Sequence, residues 1–293
     1  MRVLVTGCGG QVGAEVVREL AGRAEIVAHD RASLDLADPA AIVARVREAR
    51  PDVIVNAGAY TAVDRAESEV DAARTVNAVA PGLLAGEAKR AGALLIHYST
   101  DYVFDGSKAA PYVEADPTNP LNAYGLTKLE GERAIGASGC EHVILRTSWV
   151  YGPQGRNFLL TMLRLAATKD ELRVVQDQRG APTSSAQLAW LTRELLDKRP
   201  ASGVYHATAA GETTWFGFAQ AIFAQRAAQS GAFKAPRVVP IASSEYPTPA
   251  KRPAYSVLSN ARLAQATGLR LPDWREGLAE VLGKKGSEPF FTA

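Results

Sequence analysis

The chain has 293 residues, 47% hydrophobic and 22% charged, a balance that suits a folded globular protein and excludes disordered or fibrous classes. Lys plus Arg is 33 against 31 Asp plus Glu, a net charge of only +2, so the basic surplus of a nucleic-acid binder is missing and no nucleic-acid partner is expected. No apolar run reaches the roughly 18 residues of a membrane span, and residues 1–7 enter a strand-like stretch and glycines with no apolar leader, so a cytoplasmic protein without a membrane partner is expected.

Residues 2–6 read as a strand and 12–21 as a helix. A second strand follows at 25–29, then a helix over 39–50 with Pro39 in the first turn, where its missing N–H is harmless. Residues 52–56 are a third strand, and 67–91 one long helical stretch stopped by Gly92. Strands at 93–99 and 142–147 complete the first half. Several of these strands are near-continuous apolar runs, which suits a parallel sheet covered on both faces. Repeated βαβ units predict an α/β class, a Rossmann-like doubly wound parallel sheet with right-handed crossovers.

After residue 150 prolines and aromatics become frequent, among them Pro153, Trp190, Trp215, Phe216 and Pro247. A smaller α+β substrate-binding region is expected there. The division predicted is a dinucleotide-binding domain over 1–150, with 178–206 returning to it through a strand at 203–206. Residues 151–177 and 207–293 then form the smaller domain. Residues 243–253 read as a loop, and the tail from Gly283 as mobile.

Two cysteines, Cys8 and Cys140, form no CxxC or Cys/His cluster, so they read as reduced thiols without zinc. His29, His97, His142 and His206 fall one per strand-like segment and read as packed or exposed singly, not as metal ligands.

Glycines at 7, 10 and 13 follow the first strand and open the first helix. A tight turn there needs residues without a Cβ, and bare backbone lets a pyrophosphate reach the N–H groups of the helix N-terminus. Asp30 ends the second strand 17 residues after Gly13, placed to accept bonds from adenosine ribose hydroxyls. Arg31 follows and would attract a 2′-phosphate, so NADH and NADPH are both open. Small residues in Asn56-Ala57-Gly58-Ala59-Tyr60 leave room for a cofactor after the third strand.

Tyr124 and Lys128 stand four apart, on one face of a helix. A nearby ammonium lowers a phenol's pKa and fits it for proton transfer. Ser99-Thr100-Asp101 stands at the end of the fourth strand, where open α/β sheets bind ligands.

Together the glycine loop, the Ser/Thr after the fourth strand and the YxxxK pair resemble extended short-chain dehydrogenases/reductases. Longer strings, STDYVFDG at 99–106 and RTSWVYG at 146–152, with DQRGAPT at 177–183 and RPAYS at 252–256, are similar to the dTDP-4-dehydrorhamnose reductase family. The resemblance implies NADPH- or NADH-dependent reduction of the C4 ketone of dTDP-4-dehydro-L-rhamnose to dTDP-L-rhamnose, for rhamnose and cell-surface polysaccharide biosynthesis. It implies that Thr100 orients the carbonyl, Tyr124 supplies the proton, and Lys128 holds the nicotinamide ribose and lowers the Tyr124 pKa. Cofactor contacts are implied for Gly7, Gly10, Gln11, Val12, Gly13, Asp30, Arg31, Asp35, Leu36, Ala57, Gly58, Ala59 and Tyr60, besides Tyr124 and Lys128. The nucleotide-sugar substrate is expected at Thr100, Asp101, Trp149, Asn157 and Arg252, the last two toward its diphosphate. Asn77 matches a position where relatives carry Asn.

Some relatives join two subunits through a metal and several glutamates. Glu15 and Glu276 match two such places, but Ala186 stands where an acid is needed, so no metal is expected, while a homodimer stays open. Two alternatives remain: another sugar-nucleotide reductase or epimerase of the superfamily, and a non-catalytic regulatory subunit like that of methionine adenosyltransferase. Retention of Thr100, Tyr124 and Lys128 speaks against the second.

Overall fold

The computed structural model describes residues 1–284. In chain order it runs β1 (Arg2–Thr6), α1 (Gln11–Leu20), β2 (Glu25–His29), α2 (Pro39–Ala49), β3 (Val53–Asn56), α3 (Val63–Ala66), α4 (Val70–Arg74), α5 (Ala80–Ala91), β4 (Leu94–Thr100), α6 (Ala123–Ser138) and β5 (His142–Thr147). The second half holds β6 (Val150–Tyr151), α7 (Phe158–Ala166), β7 (Glu171–Val175), β8 (Arg179–Gly180), β9 (Thr183–Ser184), α8 (Ser185–Lys198), β10 (Gly203–His206), β11 (Thr213–Thr214), α9 (Trp215–Gln229), β12 (Arg237–Ile241), α10 (Ala261–Thr267) and α11 (Trp274–Lys284).

The main sheet has six parallel strands in the order β10-β5-β4-β3-β1-β2. Both faces are covered. Val3, Val5, Val53, Val55 and Ile96 pack with Val16 of α1 and Leu188 and Leu191 of α8. Leu4, Ile54, Leu95 and Ile144 face Ile42 of α2, Leu84 of α5 and Ile135 of α6. Successive strand residues point to opposite faces, so a doubly covered strand is apolar at every position. Strand order reverses between β1 and β3, and this switch point opens a crevice at the carboxyl ends of the strands.

Helix starts follow local chemistry. Asp38 caps α2 by accepting from the Ala40 and Ala41 N–H groups at 2.9 and 3.0 Å, with Pro39 next in the first turn. Asn122 caps α6 through the Gly125 N–H at 2.8 Å, and Ser184 with Gln187 forms a capping box on α8.

The long helix expected over 67–91 is shorter and interrupted. It begins at Val70 and passes through a π-helical stretch, Thr75–Val79, before α5. Pro81 has no N–H to give to the Asn77 carbonyl four residues back. That carbonyl lies 2.1 Å from where a Cβ on Gly131 would stand, so only glycine lets α6 pack against the bulge.

Among the described residues the second half builds three small two-stranded sheets, β11-β8, β12-β7 and β6-β9. Its own core joins Leu163, Phe218, Ile222, Trp274 and Leu278. Residues 243–253 form a loop that opens with a 3-10 turn at Ser243–Glu245. The tail expected to be mobile begins inside α11 at Gly283 and Lys284; its remainder lies outside the described residues. Among the described residues no helix is long and apolar enough to cross a membrane.

Candidate active site

The glycine loop joins β1 to α1 and lies beside the loop that leaves β3. Gly7 has φ +71, and a Cβ there would come within 2.6 Å of Gly58. A Cβ on Gly13 would meet the Gly7 carbonyl at 2.2 Å. These two glycines are demanded by chain packing, which brings the loops after β1 and β3 together. Gly10 is exposed at the start of α1 and donates to the Gly7 carbonyl at 2.9 Å. Gln11 and Val12 follow, half-buried. Bare, turned backbone at a helix N-terminus fits a dinucleotide pyrophosphate.

Asp30 follows β2, its Cβ 3.5 Å from a Cβ built on Gly9. Its exposed carboxylate accepts from the Ala32 N–H, the Ser33 N–H and the Ser33 hydroxyl at 2.8–3.1 Å. Those Ser33 bonds hold it below the usual carboxylate range. Arg31 is exposed beside it. Asp35 accepts from the Ala37 N–H at 2.9 Å, and buried Leu36 presses its side chain toward Gly58. Ala57, Gly58, Ala59 and Tyr60 line the same crevice, half-buried. The Tyr60 backbone is clasped by Asn77, with Oδ1 accepting at 2.9 Å and Nδ2 donating at 3.0 Å. Asn77 also donates to the Thr127 hydroxyl at 3.2 Å, so the π-helical bulge ties the β3 loop to α6.

Thr100, Asp101 and Tyr124 meet at the carboxyl end of β4, and Lys128, one turn on from Tyr124, reaches the Tyr98 carbonyl of the same strand. Thr100 Oγ1 donates to Asp101 Oδ1 at 3.1 Å and accepts from the Tyr102 N–H at 3.2 Å. The Tyr124 phenol is pushed up to about 12 by burial, against a lowering hydrogen bond with Thr100. The depression of Tyr124 expected from Lys128 is absent: lost hydration raises the phenol, the Asp101 charge adds to the rise, and the Lys128 amine is engaged with Tyr98 and His97 instead. Burial also lifts the Asp101 carboxyl to about 7, with hydrogen bonds from Ser256 and Thr100 opposing. The Lys128 amine is brought down to about 8 by burial, partly offset by Glu132. It donates to the Tyr98 carbonyl at 2.6 Å and meets His97 Nε2 at 3.1 Å.

The remaining predicted substrate residues are engaged with their own chain. Trp149 has φ 47, stacks on Trp215 with centroids 3.7 Å apart, and lies so close over Gly180 that a Cβ there would be 2.5 Å from its ring. Trp215 donates to Gln178 Oε1 at 3.1 Å and meets Phe158 at 4.7 Å. Asn157 caps α7 through the Leu160 N–H at 2.9 Å and donates to Gln11 Oε1 at 2.8 Å and the Gly152 carbonyl at 2.9 Å. A diphosphate at Asn157 has to exchange with that Gln11 bond. Arg252 forks onto Asp64 at 2.9 and 3.1 Å and donates to the Thr248 hydroxyl at 2.6 Å.

Sequence reasoning assigned no role to His97, Trp215, Gln178 or Asp64. It also passed over the Glu132–Arg146 pair, buried at 2.7 Å behind Lys128. Of these, only His97 and Arg146 carry a signal in the sequence, as polar residues set within apolar strands. Glu15 of the expected glutamate positions pairs with Arg18 at 2.5 Å, and Glu276 is exposed in the first turn of α11.

The family described as RmlD substrate binding domain matches residues 1–286. A dTDP-4-dehydrorhamnose reductase of Burkholderia thailandensis is 50% identical over 285 residues, covering 94% of this chain and 96% of that one. The crystal structure of a dTDP-4-dehydrorhamnose reductase from Clostridium acetobutylicum superposes with a TM-score of 0.92 at 41% identity, over 97% of this chain and 99% of that one. The Bacillus anthracis dTDP-4-dehydrorhamnose reductase, solved in complex with NADP, gives 0.91 at 36% identity over the same shares. Its sheet, its glycine loop and its likeness along almost its whole length agree: the chain belongs to the dTDP-4-dehydrorhamnose reductase family.

Proposed function

We propose that the chain is an oxidoreductase that reduces the C4 ketone of dTDP-4-dehydro-L-rhamnose to dTDP-L-rhamnose with NADPH or NADH. The observation that carries this reading is the hydrogen bond between Thr100 and the Tyr124 phenol at the carboxyl end of β4, with Lys128, one helical turn on from Tyr124, reaching the Tyr98 carbonyl of the same strand. The glycine loop supports the pyrophosphate, Asp30 the adenosine ribose and Arg31 a 2′-phosphate; the Bacillus anthracis relative carries NADP.

When bound, the reduced nicotinamide supplies a hydride to the ketone carbon. The chain then supplies position and a proton. The Tyr124 hydroxyl addresses the carbonyl oxygen, and Thr100 Oγ1 joins it by turning its hydrogen from Asp101 Oδ1 to that oxygen, where negative charge grows as the ketone is reduced. Tyr124 gives its proton to that oxygen, the alcohol forms, and solvent returns a proton to the phenolate. A phenol held at about 12 is protonated at neutral pH, the state a proton donor needs. Trp149 stands as a wall for the sugar, and Arg252 as a forked partner for the diphosphate.

The direct test mixes purified protein with NADPH, and separately NADH, and dTDP-4-dehydro-L-rhamnose. Loss of reduced-cofactor absorbance with dTDP-L-rhamnose seen by NMR is expected. No cofactor consumption with either nucleotide overturns the reading, and a cofactor that stays bound through gel filtration with C4 or C5 inversion points to an epimerase.

A further inference from the structure

A line of buried polar side chains runs beneath Lys128. Thr6, Asn56 and His97 are register partners on adjacent strands β1, β3 and β4, and all three are buried among valines and leucines. The Thr6 hydroxyl donates to Asn56 Oδ1 at 2.7 Å, Asn56 Nδ2 meets His97 Nδ1 at 3.0 Å, and His97 Nε2 meets Lys128 Nζ at 3.1 Å. Burying four such groups is unfavourable unless each is paired, and here each one's partner is the next in line.

Hydrogen-bond direction is coupled along the line. A neutral imidazole has one donor and one acceptor nitrogen. With Thr6 donating to Asn56 Oδ1, the amide presents Nδ2–H to His97 Nδ1, which must accept. The imidazole hydrogen then sits on Nε2 and points at the Lys128 amine, whose lone pair receives it while its own hydrogens go to Tyr98 O and the cleft. An ammonium at Lys128 requires the reverse: Nε2 accepts, Nδ1–H donates to Asn56 Oδ1, and Nδ2 turns to the Thr6 oxygen. The charge of the amine and the orientation of a distant amide are thus one variable.

We propose that His97 is a positioning residue for Lys128, and that Thr6 and Asn56 set its tautomer, so that three strand side chains fix the place and hydrogen-bond direction of the amine. The inference rests on the reading that Lys128 serves the cofactor and Tyr124. Burial keeps His97 neutral, well below its ordinary range, and an ammonium at Lys128 would push the same way. The other groups that act on the amine are the Tyr98 carbonyl from β4 and Glu132 from α6, which pairs with Arg146 from β5. His97 is the one whose ring nitrogen touches the amine.

The test compares Lys128→Ala, His97→Leu, His97→Gln and Thr6→Val by kcat, NADPH Kd and the pH profile of kcat, with circular dichroism to confirm folding. His97→Leu is expected to lower kcat about tenfold, a fraction of what misplacement of a catalytic group can cost. It should also move the limb of the profile set by Lys128 by about half a unit or more. His97→Gln, which keeps one hydrogen bond to the amine, is expected to recover kcat to within about threefold of the parent. If His97→Leu does not fold, Thr6→Val and His97→Gln must both shift the limb. A folded His97→Leu with unaltered kcat and profile overturns the proposal, as does an unshifted profile in either Thr6→Val or His97→Gln where His97→Leu does not fold. Lys128→Ala separates the two readings: if it too keeps full activity, the role of Lys128 fails; if it alone is inactive, only the His97 inference fails.

Discussion

The two sides of the candidate site are built differently. Beneath Lys128 the groups are buried and joined by bonds across the main sheet: His97, Asn56 and Thr6 on one line, Glu132, Arg146 and Ser99 on another. On the opposite side Trp149 is half-buried on Trp215, Asn157 holds Gln11, and Arg252 holds Asp64. The first side is preorganised by a rigid sheet, which suits groups that must stabilise a developing charge without rearranging. The second presents contacts that a sugar nucleotide has to exchange, so binding there trades protein bonds for substrate bonds.

The floor is where a single change should cost most. Glu132→Leu leaves the Arg146 guanidinium buried without its carboxylate, and a stability loss of about 3–5 kcal/mol is expected from urea unfolding. A loss under about 1 kcal/mol would show the floor to be no stiffer than an exposed ion pair. On the wall, Trp215→Ala removes the ring that backs Trp149, and KM for the sugar nucleotide should rise about fivefold with cofactor Kd unchanged. A fall in kcat without a change in KM would place Trp215 on the catalytic side instead.

A pH-dependent effect concerns Asp101, beside Thr100. Its carboxyl is raised from an ordinary 3.8 to about 7, so the fold favours the protonated form. That contribution is complete below the unfolded value and disappears as pH rises through about 7. The parent should therefore lose Tm relative to Asp101→Asn between pH 4 and 7, by about 2–4 °C for each kcal/mol involved. Parallel Tm curves in calorimetry would contradict the raised value.

What was legible in the chain was local. Continuous apolar runs marked the doubly covered strands, the glycine spacing marked the loop where Gly7 and Gly58 meet, and four-residue spacing put Tyr124 and Lys128 on one helix. What was hidden depends on distant partners. The break in the helix at Asn77 follows from Pro81 and from packing on Gly131. Arg252 finds Asp64 across 188 residues, and Asn157 finds Gln11 across 146. The rise of the Tyr124 phenol is likewise a burial effect, which residue spacing does not report.

Reduction at this site turns on one proton. Single-turnover reduction of dTDP-4-dehydro-L-rhamnose by Tyr124→Phe, with NADPH Kd measured on the same preparation, tests it most directly. The predicted result is a rate slower by about 10²-fold or more with cofactor affinity nearly unchanged, because only the proton donor is gone. A Phe variant that turns over at the parent rate would contradict the assignment of Tyr124.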